Sequence, residues 1–171
     1  TGPDATETAV KSADLGQAAI ISFATHGLIT GDIKGLAEPA LALSPPDTAS
    51  TLDDGLLTAS EASELKLNAD WVILSACNTA AGDGTPSGEG LSGLARAFLF
   101  AGARAILVSH WPVRDDVAAI LTQSTLARLQ IDPAMGKSQA LRHAMLELID
   151  RPRDQTRDSG LSHPSAWAPF V

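Results

Sequence analysis

The stretch that most restricts the fold is residues 70–79, DWVILSACNT. Trp71 to Leu74 is an uninterrupted run of β-forming residues, too short for a helix and suited to a strand covered on both faces. Small and polar residues follow, Cys77 among them, and a glycine-rich loop continues to Gly93. Residues 18–24 (AAIISFA) form a second such run, ended by Thr25-His26-Gly27, and residues 104–109 (RAILVS) form a third, leading to His110-Trp111-Pro112. Helical patterns separate these runs. Parallel strands need long crossovers, usually helical, so the alternation predicts an α/β fold with a mainly parallel sheet and helices on both faces.

The helical segments follow from spacing and capping. Residues 4–14 have helical composition with a faint apolar stripe. Thr58-Ala59-Ser60-Glu61 fits a capping box, so a helix starts at Thr58 and runs to about Leu67. Leu91, Leu94, Ala95, Phe98 and Leu99 have the i, i+3, i+4, i+7, i+8 spacing of a core-facing stripe on a helix from about Glu89 to Ala101, closed by Gly102. Asp115 and Asp116 favour a helix N-terminus by their charge, and that helix reaches about Leu129. Another runs from about Lys137 to Ile149, with Leu141, Ala144, Met145 and Leu148 on one face. Residues 44–55 are turn formers throughout. Residues 39–43 read as a short edge strand, and 161–171, after a charged connector, lead into a final edge strand.

Composition sets limits on partners. The 171 residues carry 20 acidic and 12 basic side chains, a net charge of −8 that disfavours nonspecific nucleic-acid binding and suits a basic peptide. With one cysteine there is no internal disulfide, which favours a reducing, cytoplasmic setting. No apolar run approaches membrane-spanning length, and mean hydropathy is +0.09. Thr1 is not a start methionine and Val171 stops inside what reads as a strand. The expectation is a single domain over 1–171, trimmed from a longer protein.

Two of the apolar runs lead to residues suited to nucleophilic catalysis, His26 and Cys77. Parallel strands share a direction, so both residues project from one edge of the sheet, and neighbouring strands lie about 4.8 Å apart. An unperturbed thiol, with a pKa near 8.5, is only partly thiolate at neutral pH. A nearby imidazole raises that fraction and then protonates a leaving amine. Gly27, without a side chain, lets its N–H approach a developing oxyanion beside the N–H of Cys77. Each residue alone has an ordinary reading, Cys77 as core packing and His26 as a loop histidine. The pair in this order is more specific than either.

ATHG (24–27), LSACNTAAG (74–82), GEGLSGLARAFLFAGARAILVSHWPV (88–113) and HPSAWAPFV (163–171) together resemble the CHAT domain, a caspase-like family of clan CD cysteine peptidases that includes relatives of separase. The His–Cys separation is also close to the ~50 residues of caspases. The resemblance implies a caspase-like three-layer α/β/α sandwich, with the family's first strand missing from this segment. It implies His26 as general acid/base, Cys77 as nucleophile, a protein or peptide substrate and no cofactor. Family members are often joined to tetratricopeptide repeats, so a repeat or sensor domain is the expected partner. In caspases the residue two before the cysteine lines the S1 pocket. Here it is Ser75, neither glutamine nor an acid, which gives no support to an aspartate preference. Ser109-His110-Trp111 falls where caspases place another pocket wall, so Ser75, Ser109 and Trp111 are candidate substrate-binding residues. The alternative function is a catalytically silent caspase-like module that binds proteins beside a repeat domain.

Other signals compete. Residues 88–93 fit G-x-G-x-x-G, the dinucleotide fingerprint. They start 11 residues after Cys77 instead of directly after the strand, Glu89 would repel a pyrophosphate, and no acid for a ribose ends the next strand. Close helix–sheet packing explains these glycines better. His110 is a rival base without an adjacent glycine, His143 reads as solvated and His163-Pro164 as a turn. No histidine spacing suits zinc, and one cysteine makes no thiolate cage. Asp83 and Glu89 read as a solvated loop, and they could also meet a basic substrate residue.

Overall fold

The computed structural model describes residues 2–50, 52–75, 93–150 and 160–171. They fall into two compact units, Thr1–Pro112 and Val113–Val171. In chain order the first unit contains α1 (Glu7–Ser12), β1 (Ile20–Phe23), β2 (His26–Leu28), β3 (Ala40–Ala42), β4 (Leu56–Thr58), α2 (Ala59–Glu64), β5 (Trp71–Leu74), α3 (Gly93–Phe100) and β6 (Ile106–Leu107). The second contains α4 (Asp115–Ile131), α5 (Lys137–Ile149) and α6 (Pro164–Trp167). Mixed helices and strands with a parallel sheet in the first unit make this a chain compatible with the α/β type.

The parallel sheet has the order β1-β5-β6 among the described residues. All four residues of β5 are buried, as an apolar run between two neighbours requires. The run 18–24 behaves differently from its expected burial on both faces. Ile20 and Ser22 are exposed while Ile21 and Phe23 are buried, because only one face of β1 packs on the core. Of the third run, Ile106 and Leu107 form β6 and Ser109 is a single bridge residue.

The core of this unit lies between the sheet and α3, where Phe23, Val72, Leu74, Leu94, Phe98 and Val108 cluster. Phe23 and Phe98 meet with ring centroids 5.2 Å apart at an interplanar angle of 44°. Of the predicted stripe on α3, Leu94, Ala95 and Phe98 are buried, Leu99 is partly exposed, and Leu91 lies outside the described residues with the start of that helix. A Schellman motif ends α3: the N–H of Ala103 bonds the Phe98 carbonyl at 3.1 Å and that of Gly102 bonds Leu99 at 3.2 Å. Gly102 has φ +114° at this point, and a Cβ there would lie 2.3 Å from the Leu67 carbonyl oxygen. The capping box of α2 forms as expected, with the Glu61 N–H donating to Thr58 Oγ1 (3.3 Å) and the Thr58 N–H to Glu61 Oε2 (3.0 Å).

A second sheet, antiparallel and of order β2-β3-β4, was not anticipated by the expectation of a mainly parallel sheet. β3 occupies the predicted 39–43 segment but is the central strand, not an edge: Ala40 and Leu41 are fully buried between β2 and β4. Both flanking strands are three residues long, too short to show a period of two.

In the second unit, α4 and α5 pack on each other. Val117, Leu121 and Thr125 of α4 and Ala140, Ala144 and Leu148 of α5 are buried, each set at i, i+4, i+8. The buried Thr125 hydroxyl donates to the Leu121 carbonyl at 2.6 Å. The segment leading into the predicted final strand forms the short helix α6, and strand character is confined to a single bridge residue, Phe170. His163 caps α6, Nδ1 accepting from the Ser165 N–H at 3.2 Å, and Pro164 takes the first helical position, where its missing N–H costs nothing.

Candidate active site

β1 and β5 are parallel neighbours, pairing Ile20 with Trp71 through to Phe23 with Leu74. The Ser75 N–H extends the ladder to the Phe23 carbonyl at 3.0 Å. Each β1 residue faces the residue 51 positions later, and the same interval separates His26 from Cys77 in sequence. Cys77 itself lies outside the described residues, as do Asp83 and Glu89.

His26 is exposed and is the first residue of β2, not part of a loop. Two residues, Ala24 and Thr25, carry the chain from the parallel sheet into the antiparallel one. The hydrogen-bond pattern fixes which way each residue of β2 turns. Leu43 donates to the Gly55 carbonyl (2.7 Å) and Ala59 to the Pro39 carbonyl (2.9 Å), so residues 39, 41 and 43 direct their peptide groups towards β4. Alternation then turns the groups of Ala40 and Ala42 towards β2. Gly27, paired with Leu41, occupies a non-hydrogen-bonded position, which turns its own N–H and carbonyl away from β3.

The other candidates lie along the parallel sheet. Ser75 is half-buried at the carboxyl end of β5. Ser109 is fully buried just after β6, and Trp111 is 40% exposed. His110 is exposed, as are His143 on α5 and His163 before α6. Among the described residues no group of His, Cys, Asp and Glu has an arrangement fit to hold a metal ion. No helix among them is long and apolar enough to cross a membrane.

An open cavity of about 770 Å³ reaches His26 from the α1 side, with Val10, Leu15, Phe23, Leu43 and Pro45 among its walls. A polar cluster with no signature in the local sequence pattern secures α1 beside it. Buried Glu7 accepts from the Asp54 N–H (2.9 Å) and pairs with Lys11, whose ammonium also reaches Glu61 (2.8 Å) and the Leu52 carbonyl (3.2 Å). The Thr8 N–H donates to Asp53 at 3.1 Å. Burial works against ionised Glu61, but the Lys11 ammonium and the Thr58 N–H and hydroxyl hold its carboxyl down to about 2. Asp53 is lowered as well, chiefly by the Thr8 side chain. For Lys11, burial opposes the charge while Glu61 and Glu7 raise its pKa. Sequence reasoning also missed Thr25, whose hydroxyl donates to the Ala42 carbonyl.

The family model described as the CHAT domain matches residues 1–171, the whole chain. Tetratricopeptide repeat protein 28 of the mouse, Mus musculus, is 33% identical over 116 residues, which is 68% of this chain and 4% of that protein. The human protein of the same name is 31% identical over 120 residues, 70% of this chain and again 4% of that protein. The chain thus spans a small fraction of the length of these curated relatives.

Proposed function

Because the chain belongs to the CHAT domain family, a family related to caspase-like peptidases, we propose that it is a cysteine endopeptidase with a caspase-like three-layer sandwich. Cys77 is the nucleophile and His26 the general acid/base. The thiolate attacks the scissile carbonyl carbon, and the N–H groups of Gly27 and Cys77 bind the oxyanion. As the tetrahedral adduct collapses, the C–N bond breaks and His26 gives its proton to the leaving amine. Water, deprotonated by His26, then releases the acyl group and restores the thiol.

The observation that carries this reading is the parallel pairing of β1 with β5 at the interval that separates His26 from Cys77. The outward turn of the Gly27 amide supports the oxyanion role. Ser75 at the end of β5 and exposed Trp111 after β6 are the substrate-binding candidates best exposed to a peptide, whereas buried Ser109 would act through its neighbours. The printed names of the relatives support a tetratricopeptide repeat domain joined to or bound by the peptidase. A single cysteine suits work in the reducing cytoplasm. The test is cleavage of a broad peptide library by wild type, Cys77→Ala and His26→Ala. Activity in wild type alone is expected. Equal turnover by all three would remove Cys77 and His26 from the mechanism, and none by any, with the repeat domain present, would leave a protein-binding module in its place.

A further inference from the structure

We infer that the Thr25 hydroxyl is the positioning group for His26, an inference that rests on the peptidase reading for its consequence in catalysis. The imidazole is exposed, so side-chain packing does little to hold it, and its direction depends on the backbone that carries it. That backbone changes sheets within two residues, from Phe23 at the end of β1 to His26 at the start of β2. Among the described residues, neither Ala24 nor Thr25 belongs to a strand pair.

Thr25 supplies a substitute. Its hydroxyl donates to the carbonyl of Ala42, the residue that faces His26 across the β2–β3 pair. By the alternation set at Leu43 and Ala59, that carbonyl is turned towards β2. The same peptide group therefore meets the crossing at Thr25 and the strand at His26. Thr25 is half-buried and β-branched, so its side chain has few rotamers to exchange. The link ties the rotation of the Thr25–His26 peptide to β3, which Leu41 and Ala40 anchor in the core. The hydroxyl touches no reacting atom in the proposed scheme and acts on His26 alone.

Valine matches threonine in shape without the O–H, and serine keeps the O–H without the second branch, so the two variants separate chemistry from packing. The experiment measures alkylation of the protein by iodoacetamide at pH 7 in wild type, Thr25→Val, Thr25→Ser and His26→Ala, with the His26 imidazole NMR signals recorded for the first three. Loss of one modest hydrogen bond predicts a slowing of about fivefold in Thr25→Val, towards the rate of His26→Ala. Thr25→Ser is expected to react like wild type, and the His26 signals to shift or broaden in Thr25→Val only. A Thr25→Val rate equal to wild type, while His26→Ala is slow, overturns the positioning role and leaves the peptidase reading intact. Equal slowing in both Thr25 variants overturns it too, since the hydroxyl would not be the cause. If His26→Ala alkylates like wild type, the peptidase reading fails instead, and the NMR signals decide alone. Unchanged signals in Thr25→Val then overturn the link, and a shift reversed by serine upholds it.

Discussion

Replacing Gly102 by alanine tests how α3 is joined to the layer that supports the candidate site. Two costs act there. With φ at +114°, any L-residue pays the left-handed penalty of about 1–2 kcal/mol. The new Cβ would also lie 2.3 Å from the Leu67 oxygen and 3.1 Å from its carbonyl carbon. Those are backbone atoms, and the Leu67 N–H is bonded to the Ala101 carbonyl at 2.9 Å, so this segment cannot swing aside cheaply. The sum is on the order of 4 kcal/mol, at the upper end of single-substitution effects. For a chain of this size that lowers Tm by roughly 8–16 °C. Gly35 is the control, because its φ of +94° carries the backbone penalty while nothing lies within 4 Å of an added Cβ. Thermal and urea unfolding of both variants read out the difference. Gly35→Ala should lose about 1–2 kcal/mol and Gly102→Ala at least twice as much. Equal losses would refute the steric part of the argument.

Two further predictions follow from burial and charge. Phe98→Ala, at a fully buried position stacked on Phe23, should cost about 3–5 kcal/mol in urea unfolding, whereas Phe100→Ala on the same helix, 83% exposed, should change stability by less than about 0.5 kcal/mol. Because the carboxyl of folded Glu61 is held down to about 2 from its ordinary value of 4.5, its contribution is complete above pH 4.5 and lost as pH falls from there to 2. Raised Lys11 acts in the opposite sense, contributing below its ordinary value of 10.5 and losing that contribution as pH rises beyond it. The urea midpoint should therefore hold between these limits and drop on either side, with a shallower acid limb in Glu61→Gln; parallel acid limbs would contradict the assignment.

Elements whose determinants are local were legible in the sequence. β5 announced itself because both of its faces are buried, and α2 because its cap bonds close within three residues. α5 carries its own periodicity and runs over the predicted span. What escaped notice depends on partners far along the chain. β2 and β4 exist because β3 stands between them, and three residues carry no pattern of their own. Pro39 made the next segment look like an edge, yet its carbonyl accepts from Ala59 and the strand after it is central. The last segment lacks strand alternation, and the His163-Pro164 pair starts a helix. At the candidate site the histidine was legible, as a residue after an apolar run. Its place in an antiparallel strand, the outward turn of the Gly27 amide and the Thr25–Ala42 bond were not, because all three depend on residues 41 and 42.

The most direct measurement is the rate of iodoacetamide alkylation of Cys77, followed from pH 6 to pH 9 in wild type and His26→Ala. The account predicts that wild type reacts faster at the acid end, and that the two rates converge at the alkaline end, where a thiol ionises without help. Superimposable profiles would show a cysteine that does not sense His26, and the proposed catalytic pair would not exist.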